Sequence, residues 1–237
     1  MFIKLCYAPT EGLPDPADRE ELLCRLSPAR RRKLLRFRMP ADRIRCYAAG
    51  RLLDRLLQPY GLSEGTAPFS VGPEGKPYLN AEAAGLSRSL FFNLSHSGGM
   101  VMAALSDWEI GCDIEQLSDR RGAQTCLQLA ERFFHPQELR LLQAISPEEE
   151  AAVSDAFTQI WVKKESVIKA DGRGLQLDLR GFSVFETPSI TLNSGSFLLR
   201  ASASPEGYRS ACAVRLPEGV EPDAAAFPCS EEFLTLT

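Results

Sequence analysis

The chain has 237 residues, of which 44% are hydrophobic and 24% charged, and its formal net charge is −4. This balance excludes wholesale disorder, because there are ample apolar side chains to bury. No apolar run approaches the roughly 20 residues that a transmembrane helix needs, and the first residues lack a signal-peptide pattern. Seven scattered cysteines without a Cys-x-x-Cys pair indicate neither a disulfide framework nor a zinc site. We therefore expect a cytoplasmic protein with no membrane association.

Basic residues are concentrated near the N-terminus, where 12 of the 27 lie between Arg19 and Arg55. Ser27-Pro28 predicts an N-cap and a first helical residue, for a short basic helix over 29–38. Residues 41–59 have apolar positions at helical spacing, which predicts a second, amphipathic helix. Its arginines could form only a solvated face or could bind a ligand, and both interpretations stay open for Arg43, Arg45, Arg51 and Arg55.

The remaining elements alternate between short strands and helices. Strands are predicted around 69–71 and at 91–95, 100–105 and 110–115, with a turn at 97–99. Helices are predicted at about 124–134, 136–143 and 147–170, the last opened by a capping box from Ser146 to Glu149 and stopped at Asp171-Gly172. Residues 181–216 suggest an antiparallel sheet. Each half of the chain thus passes from helices into short strands, which indicates an α+β fold.

Two acidic residues stand at alternate positions of the strand Gly111-Cys112-Asp113-Ile114-Glu115. Residues i and i+2 of a strand share a face, so Asp113 and Glu115 should project together while Ile110, Cys112 and Ile114 face the core. Neighbouring carboxylates are hard oxygen ligands that suit Mg²⁺. The alternative interpretation is an acidic strand end in solvent.

The helix Trp161-Val162-Lys163-Lys164-Glu165-Ser166-Val167-Ile168-Lys169 carries a second group. Trp161, Glu165 and Lys169 share one helix face. Glu165 could be a third metal ligand or a general base, with Lys169 meeting a phosphate. The pair could equally be an ordinary helical salt bridge.

A third group follows the strand Phe92-Asn93-Leu94, where Ser95 and His96 could offer donors to a phosphate. A serine hydrolase fits poorly, because Gly-x-Ser-x-Gly is absent and adjacent strand residues point apart. The other histidine, His135, is expected inside a helical stretch. Gly75-Lys76-Pro77 lacks the spacing of a P-loop.

Together these segments resemble the 4′-phosphopantetheinyl transferases of the larger, single-chain type. The resemblance is carried in order by Asn-Leu-Ser-His-Ser-Gly at 93–98, Gly-Cys-Asp-Ile-Glu at 111–115 and Trp-Val-Lys-Lys-Glu-Ser-Val-Ile-Lys at 161–169. Further similar segments are Ser-Pro-Ala-Arg-Arg-Arg-Lys-Leu-Leu-Arg-Phe at 27–37, Gly-Lys-Pro-Tyr at 75–78 and Gly-Arg-Gly-Leu at 172–175. The resemblance covers about residues 1–215.

The resemblance implies a pseudo-dimer of two similar α/β halves, 1–105 and 106–237, with the active site in the cleft between them. It implies Mg²⁺-dependent transfer of the phosphopantetheine arm of coenzyme A to a serine of an apo acyl or peptidyl carrier protein, with Mn²⁺ as the alternative ion. Asp113, Glu115 and Glu165 would hold the metal, as a Lewis acid and template on the pyrophosphate. Glu165 would also serve as the general base, and Lys169 would bind the pyrophosphate.

The same resemblance places a set of residues near the nucleotide and its 3′-phosphate, namely Arg30, Lys33, Arg45, Gly75, Lys76, Pro77, Ser95 and His96. Arg30 stands where a lysine is common in relatives, and Cys112 and Arg173 also differ from frequent family choices. A monomer is expected, because a pseudo-dimer closes its own cleft.

Two other functions fit the sequence less well. A non-catalytic coenzyme A- or carrier-binding protein on the same fold has no physical reason to keep Asp113, Glu115, Glu165 and Lys169. A nucleic-acid-binding module using Arg30 to Arg55 would need interleaved aromatic residues, which are sparse there. We therefore expect no nucleic-acid partner.

Overall fold

The computed structural model describes residues 1–72, 75–117, 122–221 and 228–236. The α-helices of this described part are α1 Glu20–Leu23, α2 Pro28–Leu34, α3 Pro40–Leu57, α4 Ala123–Phe133, α5 Pro136–Gln143 and α6 Glu150–Asp171. Its strands are β1 Ile3–Pro9, β2 Phe69–Val71, β3 Pro77–Leu79, β4 Phe91–Ser97, β5 Met100–Ser106, β6 Ile110–Gln116, β7 Ser189–Leu192, β8 Gly195–Ala201, β9 Tyr208–Leu216 and β10 Cys229–Phe233. The mixed α and β composition confirms the predicted fold class in its coarse form.

The chain divides into two compact units, one running from Met1 to Trp108 and including β10, the other beginning at Glu109. In the first unit a four-stranded sheet has the order β10-β1-β5-β4, and α3 packs on strands β1, β5 and β4 of this sheet. Strands β1 and β4 are antiparallel to β5, which confirms the two strands predicted at 91–95 and 100–105. Strand β10, which the sequence did not predict, lies parallel to β1, and its Phe233 stacks on Tyr7.

The two basic helices begin close to the predicted residues. Ser27 Oγ accepts a hydrogen bond from the backbone N–H of Arg30 at 3.3 Å, which confirms the N-cap of α2. Helix α3 ends at Leu57 rather than Pro59, because the chain tightens there into a 3₁₀ turn over Gln58–Tyr60.

The predicted end of α2 at Arg38 is wrong, since the helix stops at Leu34. The guanidinium of Arg43 donates to the carbonyls of Phe37 and Arg38, at 3.0 and 2.9 Å, and holds them outside a helix. A proline at position 40 also disfavours helical geometry in the residue before it.

In the second unit, an antiparallel sheet has the order β6-β9-β8-β7, and α6 packs across β6 and β9. This confirms the strand predicted at 110–115 and the antiparallel sheet of the C-terminal region. Helices α4 and α5 pack against α6 within one residue of their predicted bounds. The core contains stacked rings, with centroids 5.0 Å apart for Phe134 and Phe157 and 5.8 Å apart for Phe157 and Trp161.

Helix α6 lies against β6 so closely that position 111 has no room for a side chain. A Cβ on Gly111 would overlap the backbone of Ser166 and Ala170 and would lie 2.7 Å from the carbonyl carbon of Lys169. The three backbone atoms belong to the last turns of α6. Glycine at this position therefore sets how near β6 and α6 can come.

The predicted capping box at the start of α6 is also wrong. The helix begins at Glu150, and no side chain caps it. The N–H of Glu149 instead donates to the carbonyl of Ser146 at 2.9 Å, so this segment forms a separate turn. The predicted stop is confirmed, because Gly172 has φ 86° and its N–H donates to the carbonyl of Ile168 at 2.9 Å.

The capping box lies instead at α5, where His135 is the N-cap rather than a residue within a helix. Its Nδ1 accepts from the N–H of Gln137 at 3.3 Å, and its own N–H donates to Glu138 Oε2 at 2.9 Å. A histidine is an unusual cap, so the sequence pattern did not reveal it.

A fully buried ion pair joins α5 to α6. Lys164 Nζ lies 2.9 Å from Glu138 Oε2 and donates to the carbonyls of Leu179 and Phe182, at 2.8 and 2.6 Å. Glu138 Oε1 accepts from the N–H of Val184 at 2.7 Å. Lys164 thus anchors the segment after α6, which gives this residue a structural role.

We predict that Gly111→Ala lowers the free energy of unfolding by about 3 kcal/mol, because the added methyl forces β6 and α6 apart. Urea denaturation followed by circular dichroism measures this difference. Gly72→Ala is the matched control, since its Cβ would make an ordinary 3.5 Å contact with the carbonyl of Lys76. Equal stability of the two variants would contradict the close packing of β6 and α6.

Candidate active-site residues

In the second unit, the close approach of β6 and α6 buries a carboxylate. Asp113 is 4% exposed, whereas Glu115 on the same face is partly exposed. The opposite face of the strand is formed by Ile110, Cys112 and Ile114, which are completely buried. Burial excludes the alternative of an acidic strand end in solvent for Asp113.

Lys169 of α6 donates to Asp113 Oδ1 at 2.6 Å. Burial opposes the charge of this lysine, but the nearby Asp113, together with Cys112 and Glu165, outweighs burial and raises the pKa of Lys169. The ammonium therefore stays protonated at neutral pH. This bond connects α6 to β6, so the ion pair of Lys169 is not merely a salt bridge with Glu165 within the same helix.

Glu165 lies one turn before Lys169 on α6. Burial raises the pKa of Glu165, and the charges of Asp113 and Glu115 raise it further, while Lys169 opposes them. We call Asp113, Glu115, Glu165 and Lys169 the β6–α6 cluster. When all four are ionised the cluster carries three negative charges and one positive, so it favours an additional cation or proton.

The β6–α6 cluster is not a closed metal site in this conformation. Among the described residues, no three His, Cys, Asp or Glu side chains are grouped so that they could hold a metal ion. The ammonium of Lys169 instead provides the positive charge beside Asp113.

In the first unit, three of the residues predicted for nucleotide binding line one cavity of about 320 Å³. These are Arg30, Lys33 and Pro77. The cavity also has aromatic and apolar walls, and its full lining is Ser27, Ala29, Arg30, Lys33, Glu64, Phe69, Ser70, Val71, Pro77, Phe92, Asn93 and Leu94. Two cations beside aromatic rings are suited to a phosphorylated aromatic ligand.

Arg45 contacts the turn that follows β4, the strand that carries Ser95 and His96. Arg45 Nη1 donates to the carbonyl of Gly98 at 3.1 Å, and its Nη2 donates to Asp42 at 2.5 Å. Ser95 is 7% exposed whereas His96 is exposed, so the two side chains lie on opposite faces of β4. This arrangement does not support a Ser-His nucleophile pair.

The predicted Gly75-Lys76 segment lies between β2 and β3. Gly75 has φ 81°, a conformation that favours glycine, and the carbonyl of Lys76 accepts from the N–H of Gly72 at 2.9 Å. Neither Gly75 nor Lys76 is among the residues that line the cavity in the described part of the chain.

Most arginines of the basic segment have acidic partners. Those of α3 pair with Asp15, Asp42, Asp54 and Glu232. Three of these acids come from α3 itself or from the residues before it, but Glu232 lies at the other end of the chain. Because Asp15 and Glu232 lie outside residues 19–55, the concentration of basic residues in that stretch overestimates the positive charge available to nucleic acid.

Sequence reasoning missed Glu64, a buried acid whose Oε1 lies 2.7 Å from Arg30 Nε. Glu64 lies in the loop between α3 and β2, where no periodic pattern marks it.

Elsewhere in the described chain, all seven cysteines are thiols without disulfide bonds, and no helix is long and apolar enough to cross a membrane.

Comparison with known proteins gives concordant matches. A family model described as the 4′-phosphopantetheinyl transferase superfamily matches residues 109–213, which contain the whole β6–α6 cluster. A 4′-phosphopantetheinyl transferase of Bacillus subtilis is 33% identical over 168 residues, covering 70% of this chain and 69% of the relative. The 4′-phosphopantetheinyl transferase AcpT of Salmonella typhimurium is 39% identical over 128 residues, covering 53% of this chain and 58% of the relative.

We predict that Glu165→Gln stabilises the metal-free protein at neutral pH. Because the folded state raises the pKa of Glu165, wild type loses stability as pH rises through that pKa, whereas the glutamine variant does not. Urea denaturation in EDTA between pH 4 and pH 8 measures the difference, which should grow with pH. A glutamine variant less stable than wild type at pH 7 would contradict the unfavourable charge of Glu165.

Proposed function

The chain belongs to the 4′-phosphopantetheinyl transferase superfamily and is a transferase, and from this premise we propose its specific reaction. The protein transfers the phosphopantetheine arm of coenzyme A to a serine of an apo acyl or peptidyl carrier protein and releases adenosine 3′,5′-bisphosphate. The observation that supports this most is the β6–α6 cluster, in which a buried aspartate, a glutamate with a raised pKa and a lysine lie together.

The donor chemistry of the cluster fits Mg²⁺, although its side chains are not gathered around one point. Asp113, Glu115 and Glu165 are hard oxygen ligands, and burial together with the charges of the other two carboxylates raises the pKa of Glu165. These three carboxylates would hold the Mg²⁺ ion, with Mn²⁺ as the alternative ion. When bound, the ion supplies Lewis-acid polarisation and charge neutralisation at the pyrophosphate.

The carrier serine is the nucleophile of the proposed reaction, and Glu165 is its base. The serine oxygen forms a bond to the β-phosphorus as the bond from that phosphorus to the bridging oxygen breaks. Glu165 accepts the serine proton, directly or through a water, and its raised pKa makes it a stronger base than an ordinary glutamate in the metal-free protein. Metal ligation lowers the proton affinity of the same carboxylate, so the two roles oppose each other.

Lys169 has the role of binding the pyrophosphate. An ammonium can donate three hydrogen bonds, so its bond to Asp113 is compatible with another to a phosphate oxygen. Its positive charge would stabilise the negative charge that develops on the departing nucleotide.

In the first unit, the cavity lined by Arg30, Lys33 and Pro77 is the proposed site of the nucleotide and its 3′-phosphate. The other residues assigned to the nucleotide from the family resemblance are Arg45, Gly75, Lys76, Ser95 and His96. The family arrangement of two similar halves also stays part of the proposal. The monomeric state and the cytoplasmic location also stay predictions.

One observation favours a second function, a coenzyme A- or carrier-binding protein without catalysis. Lys169 already compensates the charge of Asp113, and no three-carboxylate metal site is formed among the described residues. A direct assay of transfer separates this function from the enzyme.

We predict that the protein, incubated with coenzyme A, Mg²⁺ and an apo carrier protein, increases the carrier's mass by about 340 Da, and that EDTA prevents this metal-dependent transfer. Asp113→Asn should reduce the rate by at least about a hundredfold, because an amide is a poorer ligand for a hard cation. Intact-mass spectrometry of the carrier measures both effects.

Glu109→Gln is the matched control, since Glu109 pairs with Arg215 outside the cluster and its loss changes the net charge equally. The control should transfer at the wild-type rate. An Asp113→Asn variant as fast as wild type would disprove the metal assignment. No mass gain on fatty-acid, polyketide and peptide carriers, with coenzyme A binding intact, would favour the non-catalytic function.

A further inference from the structure

A buried carboxylate that the proposed reaction does not use lies in the wall of the first unit's cavity. Glu64 is 1% exposed, and its two oxygens accept three hydrogen bonds. The donors are the N–H of Ser27 at 2.6 Å, the hydroxyl of Ser27 at 2.9 Å and Nε of Arg30 at 2.7 Å. The N–H of Glu64 itself donates to Asp54 Oδ1 at 2.9 Å. Glu64 is therefore fixed both to α3 and to the start of α2.

The side chain of Arg30 is confined on a second side by α3. It crosses the helix at Gly50, where a Cβ would lie 2.7 Å from Arg30 Cδ and 3.0 Å from Arg30 Nε. Gly50 is the only glycine in α3, so it is the one position where the aliphatic part of the Arg30 side chain can pass so near the helix backbone. The side chain of Arg30 is consequently only 14% exposed.

These contacts limit how Arg30 can present its charge. A guanidinium carries five N–H donors in one plane, and one of them is directed to Glu64. Fixing Nε sets the plane of the group, and the remaining donors suit the oxygens of a phosphate. A lysine, with a single nitrogen on a flexible chain, would not be oriented in this way.

The charges in the cavity wall favour a phosphate monoester. Arg30 and Lys33 contribute two positive charges and Glu64 one negative charge, and Phe69 and Phe92 provide aromatic surface beside them. Within coenzyme A, the monoester is the 3′-phosphate of the nucleotide, whereas the pyrophosphate is assigned to the β6–α6 cluster. An oriented Arg30 would distinguish coenzyme A from its analogue without that phosphate.

We propose that Glu64 is a positioning residue for Arg30, and that the oriented pair makes the cavity selective for a 3′-phosphorylated nucleotide. This inference rests on the proposed function, because it assumes that coenzyme A is the ligand. Glu64 does not itself contact the ligand, since a carboxylate would repel a phosphate. Its effect is transmitted through the Nε bond.

The test is the ratio of the dissociation constants of dephospho-coenzyme A and coenzyme A, measured by isothermal titration calorimetry. In Glu64→Gln this ratio should fall about tenfold, the effect typical of losing a charge-assisted hydrogen bond. The affinity for dephospho-coenzyme A should stay within about twofold of wild type, because that ligand does not use Arg30. A purely structural role of Glu64 would weaken both ligands equally, and that result would overturn the proposal.

Two further variants address folding and charge. Arg30→Lys keeps the charge but lacks Nε, so it should also lower the ratio, and it tests the proposal even if Glu64→Gln does not fold. A wild-type ratio in Arg30→Lys would overturn the inference. In the Arg30→Ala background, Glu64→Gln should change the ratio no further, since there is no guanidinium left to orient.

Glu20→Gln is the matched control. Glu20 of α1 pairs at 2.8 Å with Arg31 of α2, the helix that carries Arg30, on the exposed surface, and its loss changes the net charge equally. This control should keep the wild-type ratio, and a comparable fall would show that net charge alone sets the preference. A wild-type protein that binds neither ligand would overturn the proposed function itself, whereas equal losses in Glu64→Gln would overturn only the role of Glu64.

Discussion

The contact between β6 and α6 at Gly111 is the constraint on which the second unit's candidate site depends. Because the strand carries no side chain at that point, the backbone of α6 comes against it over Ser166, Lys169 and Ala170. Two residues further along β6, Asp113 then lies within hydrogen-bond distance of Lys169. A larger residue at position 111 would separate the strand's carboxylates from the helix that carries Glu165 and Lys169.

Two lysines of α6, Lys164 and Lys169, differ in burial and in the roles that their ion pairs have. Lys164 is completely buried, and Glu138 and two backbone carbonyls satisfy it, so its environment is closed. Burial lowers the pKa of Lys164, whereas Asp113 raises that of Lys169 despite burial. Lys169 stays partly exposed and lies in a cluster with excess negative charge, an arrangement that is unfavourable for stability and useful for binding a cation.

The local patterns of the sequence predicted most of the framework. Short apolar-rich runs and the turn between two of them predicted β4, β5 and β6, helical spacing predicted α3, and Ser27 and Gly172 marked helix ends, because all of these signals arise from neighbouring residues. The family resemblance added the grouping of Asp113 with Glu165 and Lys169, which burial and ion pairing support. Whether these residues perform catalysis stays a prediction.

What the sequence could not show depends on contacts between distant residues. Helix α2 ends early because Arg43 binds the carbonyls beyond it, and β10 is defined only by its pairing with β1. The carboxylate of Glu64 reaches Arg30 across 34 residues of chain from an irregular loop. Such partners follow from the tertiary arrangement and leave no periodic signal.

The most direct test of the account is the titration of the Glu165 carboxyl by ¹³C NMR, with its signal identified by its absence in Glu165→Gln. The account predicts a pKa above the ordinary glutamate range in metal-free protein, because burial and the charge of Asp113 both disfavour ionisation. Mg²⁺ added with coenzyme A should lower that pKa, since a bound cation favours the carboxylate. An ordinary pKa without metal, or no response to Mg²⁺ and coenzyme A together, would contradict the assignment of the β6–α6 cluster as the site of metal-assisted transfer.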